Sequence, residues 1–190
     1  MMDVAAAVAR SADFRAHPLG FYYLQESQCD GASHRVHVWL PGRSDSPEND
    51  RHQHSFDIHS IVRLGRIRSE MFRFVEMPDG EEREFVVVYG KAESTLSPTG
   101  RLGKLEAMTM FDSSTGDSYF LQAGIIHRVG VVERPCVTFL KTVERGAPIL
   151  SYGRETREPP FDRRPVTPAE QEQIATALQA ADKSAKPSYR

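Results

Sequence analysis

Residues 49–65, NDRHQHSFDIHSIVRLG, hold three of the seven histidines of this chain. His52 and His54 are separated by one residue, and on an extended strand positions i and i+2 project from the same face. Two imidazoles side by side can reach one metal ion, but a site needs three or more ligands. A third lies far along the chain, in GDSYFLQAGIIHRVG, where His127 is a polar ring among Ile125, Ile126 and Val129. Two readings stand for it: a buried histidine bonded to backbone, or a ligand. Taken with the HxH pair, His52, His54 and His127 are the expected metal set.

Neighbouring groups have open roles. If Gly65 sets the register, Ile58 points inward and His59 outward, and only a bulge would turn His59 into a fourth ligand. Asp57 either orients a ligand imidazole from behind or caps a turn. Tyr119 either donates a phenol hydrogen bond to a substrate, as the candidate catalytic residue, or packs as an aromatic. Arg63 and Arg68 either receive a carboxylate or face solvent. His34 and His37 read as structural or surface groups, His17 as a helix-end residue and Cys136 as inert core.

These residues need strands to hold them. DVAAAVARSADFRAH has the alanine content and spacing of a short helix. GFYYLQES is extended, QCDGAS turns at Asp30-Gly31, and HRVHVWLPG alternates as a strand before the polar loop GRSDSPEND. IHSIVRLG and IRSEMFRFV read as strands with Gly65 as the turn between them. MPDGEE predicts a hairpin to REFVVVYG with Asp79-Gly80 at the bend. KAESTLSPTGRLGK reads as a loop, followed by LEAMTMF, the turn DSSTGD, SYFLQAG, IIHRVGVVE, a break at Arg134-Pro135, and CVTFLKTVE. Some nine or ten short strands predict an all-β barrel or sandwich. Beyond the charged connector RETREPPFDRRP, Thr167 as N-cap, Pro168 and Glu170 start a helix with the stripe Ile174, Leu178 and Ala181. The expected organisation is an N-terminal helix over 1–18, a barrel over 19–150, and a connector, helix and tail over 151–190.

Length and composition narrow the function. A chain of 190 residues with net charge -2 forms one domain and gives no global electrostatic case for nucleic acid. No apolar run approaches the roughly 20 residues of a membrane helix, and the N-terminus lacks the apolar core of an export signal. With two cysteines, Cys29 and Cys136, a disulfide scaffold is not expected and a reducing cytoplasm is the default. There is no Ser/His/Asp signature, phosphate loop or helix-turn-helix pattern.

The motifs resemble those of the cupin superfamily. That family's first motif is roughly G-x5-H-x-H-x3,4-E-x6-G and its second G-x5-P-x-G-x2-H-x3-N. Here His52-Gln53-His54, three residues, Ile58, six residues and Gly65 keep the first spacing. Gly116, five residues, Gln122-Ala123-Gly124, two residues, His127, three residues and Val131 keep the second. Ser46 replaces the opening glycine, Ile58 the glutamate, Gln122 the proline and Val131 the asparagine. The resemblance spans about residues 20–145 and implies a double-stranded β-helix, or jelly roll, that pairs as a homodimer. With isoleucine in the glutamate slot, three neutral imidazoles remain, similar to the iron sites of thiol and diketone-cleaving dioxygenases. The layout also resembles cysteine dioxygenases, but no arginine lies around Tyr22–Gln25, and the position of that class's cross-linked cysteine holds His59.

The resemblance therefore implies an oxidoreductase, a non-haem Fe(II) dioxygenase acting on a small organic substrate and O₂, with Phe56, Ile58 and Val129 as an apolar wall. Two alternatives stay open. Zn, Mn or Ni at the same residues would serve a non-redox isomerase or lyase, or the barrel binds a small molecule without catalysis.

Overall fold

The computed structural model describes residues 3–28, 31–42, 50–89, 94–154 and 163–184. Among them, helix α1 (Val4–Ala9) leads into β1 (Arg15–Ala16), β2 (Tyr22–Ser27), β3 (Ala32–Trp39), β4 (Arg51–Gln53), β5 (Phe56–Glu76) and β6 (Glu82–Tyr89). There follow β7 (Ser94–Ser114), β8 (Ser118–Leu121), β9 (Ile126–Glu144), β10 (Leu150–Gly153) and helix α2 (Pro168–Ser184). The all-β class expected from the turn spacing holds, and every pairing is antiparallel. β4 bonds to β9 and β10, β10 to β6, β6 to β7, β7 to β5, and β5 returns to β9. That circuit closes the barrel, and closure removes the unpaired edges that an open sheet would expose. β1, β2 and β3 extend the wall from the second half of β9.

Strand parity divides this extension into two faces. Tyr22, Leu24, Val36 and Val38 point outward and pack with Phe14, Ile174 and Leu178 in one buried cluster with α1 and α2. Phe21, Tyr23, Arg35, His37 and Trp39 point the other way, into the barrel. α2 starts where expected. The Thr167 N–H donates to Glu170 Oε2 at 2.8 Å, and the Glu170 N–H donates to Thr167 Oγ1 at 3.3 Å, a reciprocal cap that satisfies two helix-end donors. Its stripe of Ile174, Leu178 and Ala181 is fully buried. Each large apolar side chain sealed in this way contributes about 1.5–3 kcal/mol.

Several expected breaks are continuous strand. Gly65 is not a turn: β5 runs through it for 21 residues, with Gly65 at φ 78° among register shifts against β9. A Cβ there would lie 2.6 Å from the carbonyl oxygens of both Glu133 and Pro135. Glycine thus permits a bulge that bends β5 while its backbone presses on β9. Arg134-Pro135 likewise does not break β9, and β7 already runs from Ser94 through SPTGRLGK. Asp79-Gly80 does bend the chain, with the Gly80 N–H donating to the Met77 carbonyl at 3.1 Å. It makes no hairpin, however. Glu76 and Glu82 are both register partners of Gly103, so β5 and β6 pair with successive stretches of β7, which lies between them in the sheet order, and not with each other. The N-terminal helix closes at Ala9, because Phe14 is buried and Arg15–Ala16 pair with β2. Cys29, Asp30, Ser46 and most of the two polar linkers lie outside the described residues. No described helix is long and apolar enough to cross a membrane.

Candidate metal centre

Antiparallel pairing brings the two histidine stretches together. His52 on β4 and His127 on β9 are direct cross-strand partners. His54 follows β4 by one residue and keeps the parity of His52. Gln53 between them turns the other way, donating to the Pro148 carbonyl at 3.0 Å and accepting from the Tyr152 hydroxyl at 3.3 Å. The ring centroids lie 4.7 Å apart for His52 and His54, 4.6 Å for His52 and His127, and 5.1 Å for His54 and His127. One ring nitrogen from each falls within 4.8 Å of the others. Among the described residues no carboxylate joins this cluster.

Two of the rings have a fixed tautomer. His52 Nδ1 lies 2.7 Å from the Asp50 carbonyl oxygen, and His127 Nδ1 lies 3.0 Å from that of Ile125. A carbonyl only accepts, so each Nδ1 carries the proton and each Nε2 keeps its lone pair. Tying the far nitrogen to a backbone acceptor also raises the basicity of the near one and orients the ring. His54 is instead stacked on Phe56, at 4.6 Å and 11°. Burial holds all three imidazoles below the ordinary histidine pKa, His127 at about 3, because the low-dielectric interior disfavours the imidazolium. The cluster is therefore three neutral nitrogen donors, a set that suits Fe, Zn, Ni and related divalent ions.

A cavity of about 510 Å³ opens onto the three histidines. Phe56, Ile58 and Val129 line it, the apolar wall expected from the sequence. Ile58 is 6% exposed and faces inward where the resembling motif has glutamate. Tyr119 also lines the cavity, beside Phe111 at 5.9 Å between ring centroids. Burial raises its phenol above the ordinary tyrosine pKa, so it remains protonated as a donor near neutral pH. His59 is exposed against Phe120, outside the cluster. Asp57 caps a turn: it accepts the Ala123 N–H at 2.9 Å and pairs with Arg145 at 2.7 Å. The N–H bond and the guanidinium together lower its pKa. Arg68 pairs with Asp112 at 2.7 Å, and Arg63 lies over Phe139 at 6.0 Å; neither lines the cavity. Cys136 is inert core, fully buried, its thiol raised by burial to about 12.

His17 and His37 are corrections to the sequence reading. They are neither helix-end nor surface groups, because both line the cavity, so five of the seven histidines face it. Arg15, Arg35 and Arg163 line it too. The signal available in the sequence was parity, since Arg35, His37 and Trp39 alternate with Val36 and Val38. Which face was interior depended on α2, more than a hundred residues away.

In sequence, the chain matches no family profile and no curated protein. In three dimensions it is similar to an oxalate oxidase, at 14% identity and TM-score 0.43 over 91% of this chain and 76% of that one. It is also similar to the oxalate decarboxylase of Lactobacillus farciminis in a formate complex, at 13% identity and TM-score 0.41 over 70% of this chain. This chain spans 31% of that decarboxylase's length. A third similar structure is a hydroquinone 1,2-dioxygenase with Cd²⁺ and 4-hydroxybenzonitrile, at 19% identity and TM-score 0.38 over 62% of this chain and 61% of that one. The antiparallel β architecture and the three-histidine cluster are those expected from the two sequence motifs.

Proposed function

We propose that the chain is a metal-dependent oxidoreductase, a non-haem Fe(II) dioxygenase acting on a small organic molecule. One observation carries this reading: three neutral imidazole nitrogens converge on the wall of a cavity large enough for a small organic ligand. Fe(II) held by His52, His54 and His127 would supply adjacent open positions for O₂ and substrate.

The chain's own residues do the rest. The Asp50 and Ile125 carbonyls hold the His52 and His127 rings in the ligating tautomer. Phe56, Ile58 and Val129 exclude water from one side of the cluster. Tyr119, which lines the cavity, would serve as a hydrogen-bond donor to bound substrate.

The test is elemental analysis of protein purified without chelators, with oxygen consumption measured across a panel of small organic acids and phenols. Iron at about one per chain and substrate-dependent oxygen uptake are expected. Bound metal with turnover that needs no O₂ would move the assignment to a non-redox isomerase or lyase. A homodimer, implied by the cupin resemblance, is checked by light scattering.

A further inference from the structure

β4 is short, and its sequence does not fix its register. It has three residues, Arg51–Gln53, and no apolar residue occurs from Asp50 to Ser55. An apolar face ordinarily sets strand register, and a slip of one residue turns every side chain to the other face. Here such a slip would withdraw His52 from the cluster and aim Arg51 and Gln53 into the cavity. Backbone pairing is sparse as well. β4 has one register pair with β9, His52 with His127, and three with β10.

The face of β4 turned away from the cluster carries polar anchors instead. Gln53 is 6% exposed and uses both ends of its amide, one on the Pro148 carbonyl at 3.0 Å and one on the Tyr152 hydroxyl at 3.3 Å. That hydroxyl also lies 3.2 Å from Glu84 Oε2, so its single proton is shared between two acceptors. Burial, and then the Glu84 charge, raise the phenol above the ordinary tyrosine pKa, so Tyr152 stays a donor. Glu84 is itself buried and accepts from Arg101 Nη1 at 3.0 and 2.9 Å. Arg101 Nε donates in turn to Glu76 at 2.9 Å. One polar chain thus runs from β4 through β10, β6 and β7 to the end of β5. Arg51, on the same face as Gln53, donates to Glu82 on β6 at 3.3 Å. Phe72, Phe74 and Leu150 lie around these groups. An apolar replacement for a buried ion pair is often no less stable, whereas fixing register is the best attested use of such groups.

We propose that Gln53, seated by Tyr152 and Glu84, is a register lock for β4: a positioning residue that keeps His52 and His54 aimed at one point. In a slipped strand the Gln53 amide leaves both of its partners, and a buried polar group without a partner is costly. The proposal rests on reading the three histidines as metal ligands.

Gln53→Leu removes the amide and keeps a side chain of similar size, and Tyr152→Phe removes only the hydroxyl. Leu178→Ala, under α2, is the control for lost stability. Co²⁺ affinity is read from its visible absorption, and the order of β4 from amide hydrogen exchange of the metal-free chain. Gln53→Leu is expected to weaken Co²⁺ binding about 10–100-fold and to speed exchange over residues 51–53 relative to β9. Tyr152→Phe should show both changes to a smaller extent. Leu178→Ala should lower the melting temperature and leave Co²⁺ affinity unchanged. Native Co²⁺ affinity in Gln53→Leu, or unaltered exchange of β4, overturns the proposal. Equal weakening of Co²⁺ binding by Leu178→Ala makes Gln53 an ordinary stabilising residue and also overturns it. If Gln53→Leu does not fold by circular dichroism, Tyr152→Phe decides by the same two measurements. Failure of the metal reading looks different: the unaltered chain takes up no Co²⁺, while β4 exchange still decides whether Gln53 holds the register.

Discussion

The two faces of the β2–β3 pair are built from alternate residues of the same two strands, yet they have opposite characters. Outward, Tyr22, Leu24, Val36 and Val38 are between 0% and 3% exposed and sealed under α1 and α2. Inward, Tyr23, Arg35 and His37 remain partly accessible and line the cavity. Apolar burial is concentrated on the face that does no chemistry, so the cavity face is free to hold charges and rings that contribute little to stability. Fold and function are therefore expected to respond separately to substitution.

The largest test is at the cluster. His127→Ala is expected to lower iron retention by more than about 100-fold, beyond the usual cost of losing an outer-shell partner. Its melting temperature should stay close to that of the unaltered metal-free chain. Global unfolding of this variant would break the separation of the two faces. Leu178→Ala tests the sealed face: denaturant unfolding should show a loss of about 2–5 kcal/mol, with metal content per folded chain unchanged. Gly65→Ala probes the bend in β5, where a Cβ meets two carbonyl oxygens. It should cost more than about 1 kcal/mol, visible as a lower denaturation midpoint.

The smallest effect concerns Glu170. The Arg164 guanidinium, then the Thr167 and Tyr22 donors, holds its carboxyl well below the ordinary range. A depressed folded-state pKa stabilises above the unfolded value and is lost as pH falls through the folded one. Glu170→Gln should therefore cost about 0.5–2 kcal/mol at pH 7, as for a lost helix cap. Below about pH 4, the ordinary glutamate range, the gap between the two chains should narrow. Unfolding curves at pH 7 and pH 3 check it, and an unchanged gap would show that α2 docks without this charge.

The sequence was most legible where side-chain period carries information. The HxH parity, the inward Ile58, the Thr167–Glu170 cap and the Ile174–Leu178–Ala181 stripe all follow from spacing within one element. It was least legible where the backbone departs from its period. Gly65 looks like a turn because glycine supplies positive φ equally to a turn and to a bulge. Asp79-Gly80 reads as a hairpin because the local chemistry of a bend does not say which strand lies beside it. His17 and His37 were missed for a related reason. Alternation shows that two faces differ, but only a distant helix decides which of them is covered.

The short turn at Ala123–Gly124 stitches the two histidine stretches by backbone. The Gly124 N–H donates to the His54 carbonyl at 3.0 Å, the Ala123 N–H to the Asp57 carboxylate, and the strand bearing His127 begins two residues later. The three donors are thus spaced by peptide hydrogen bonds, and capture of an ion requires little reordering of the chain. On the proposed metal reading, such a preformed cage would take up its ion without refolding of the barrel.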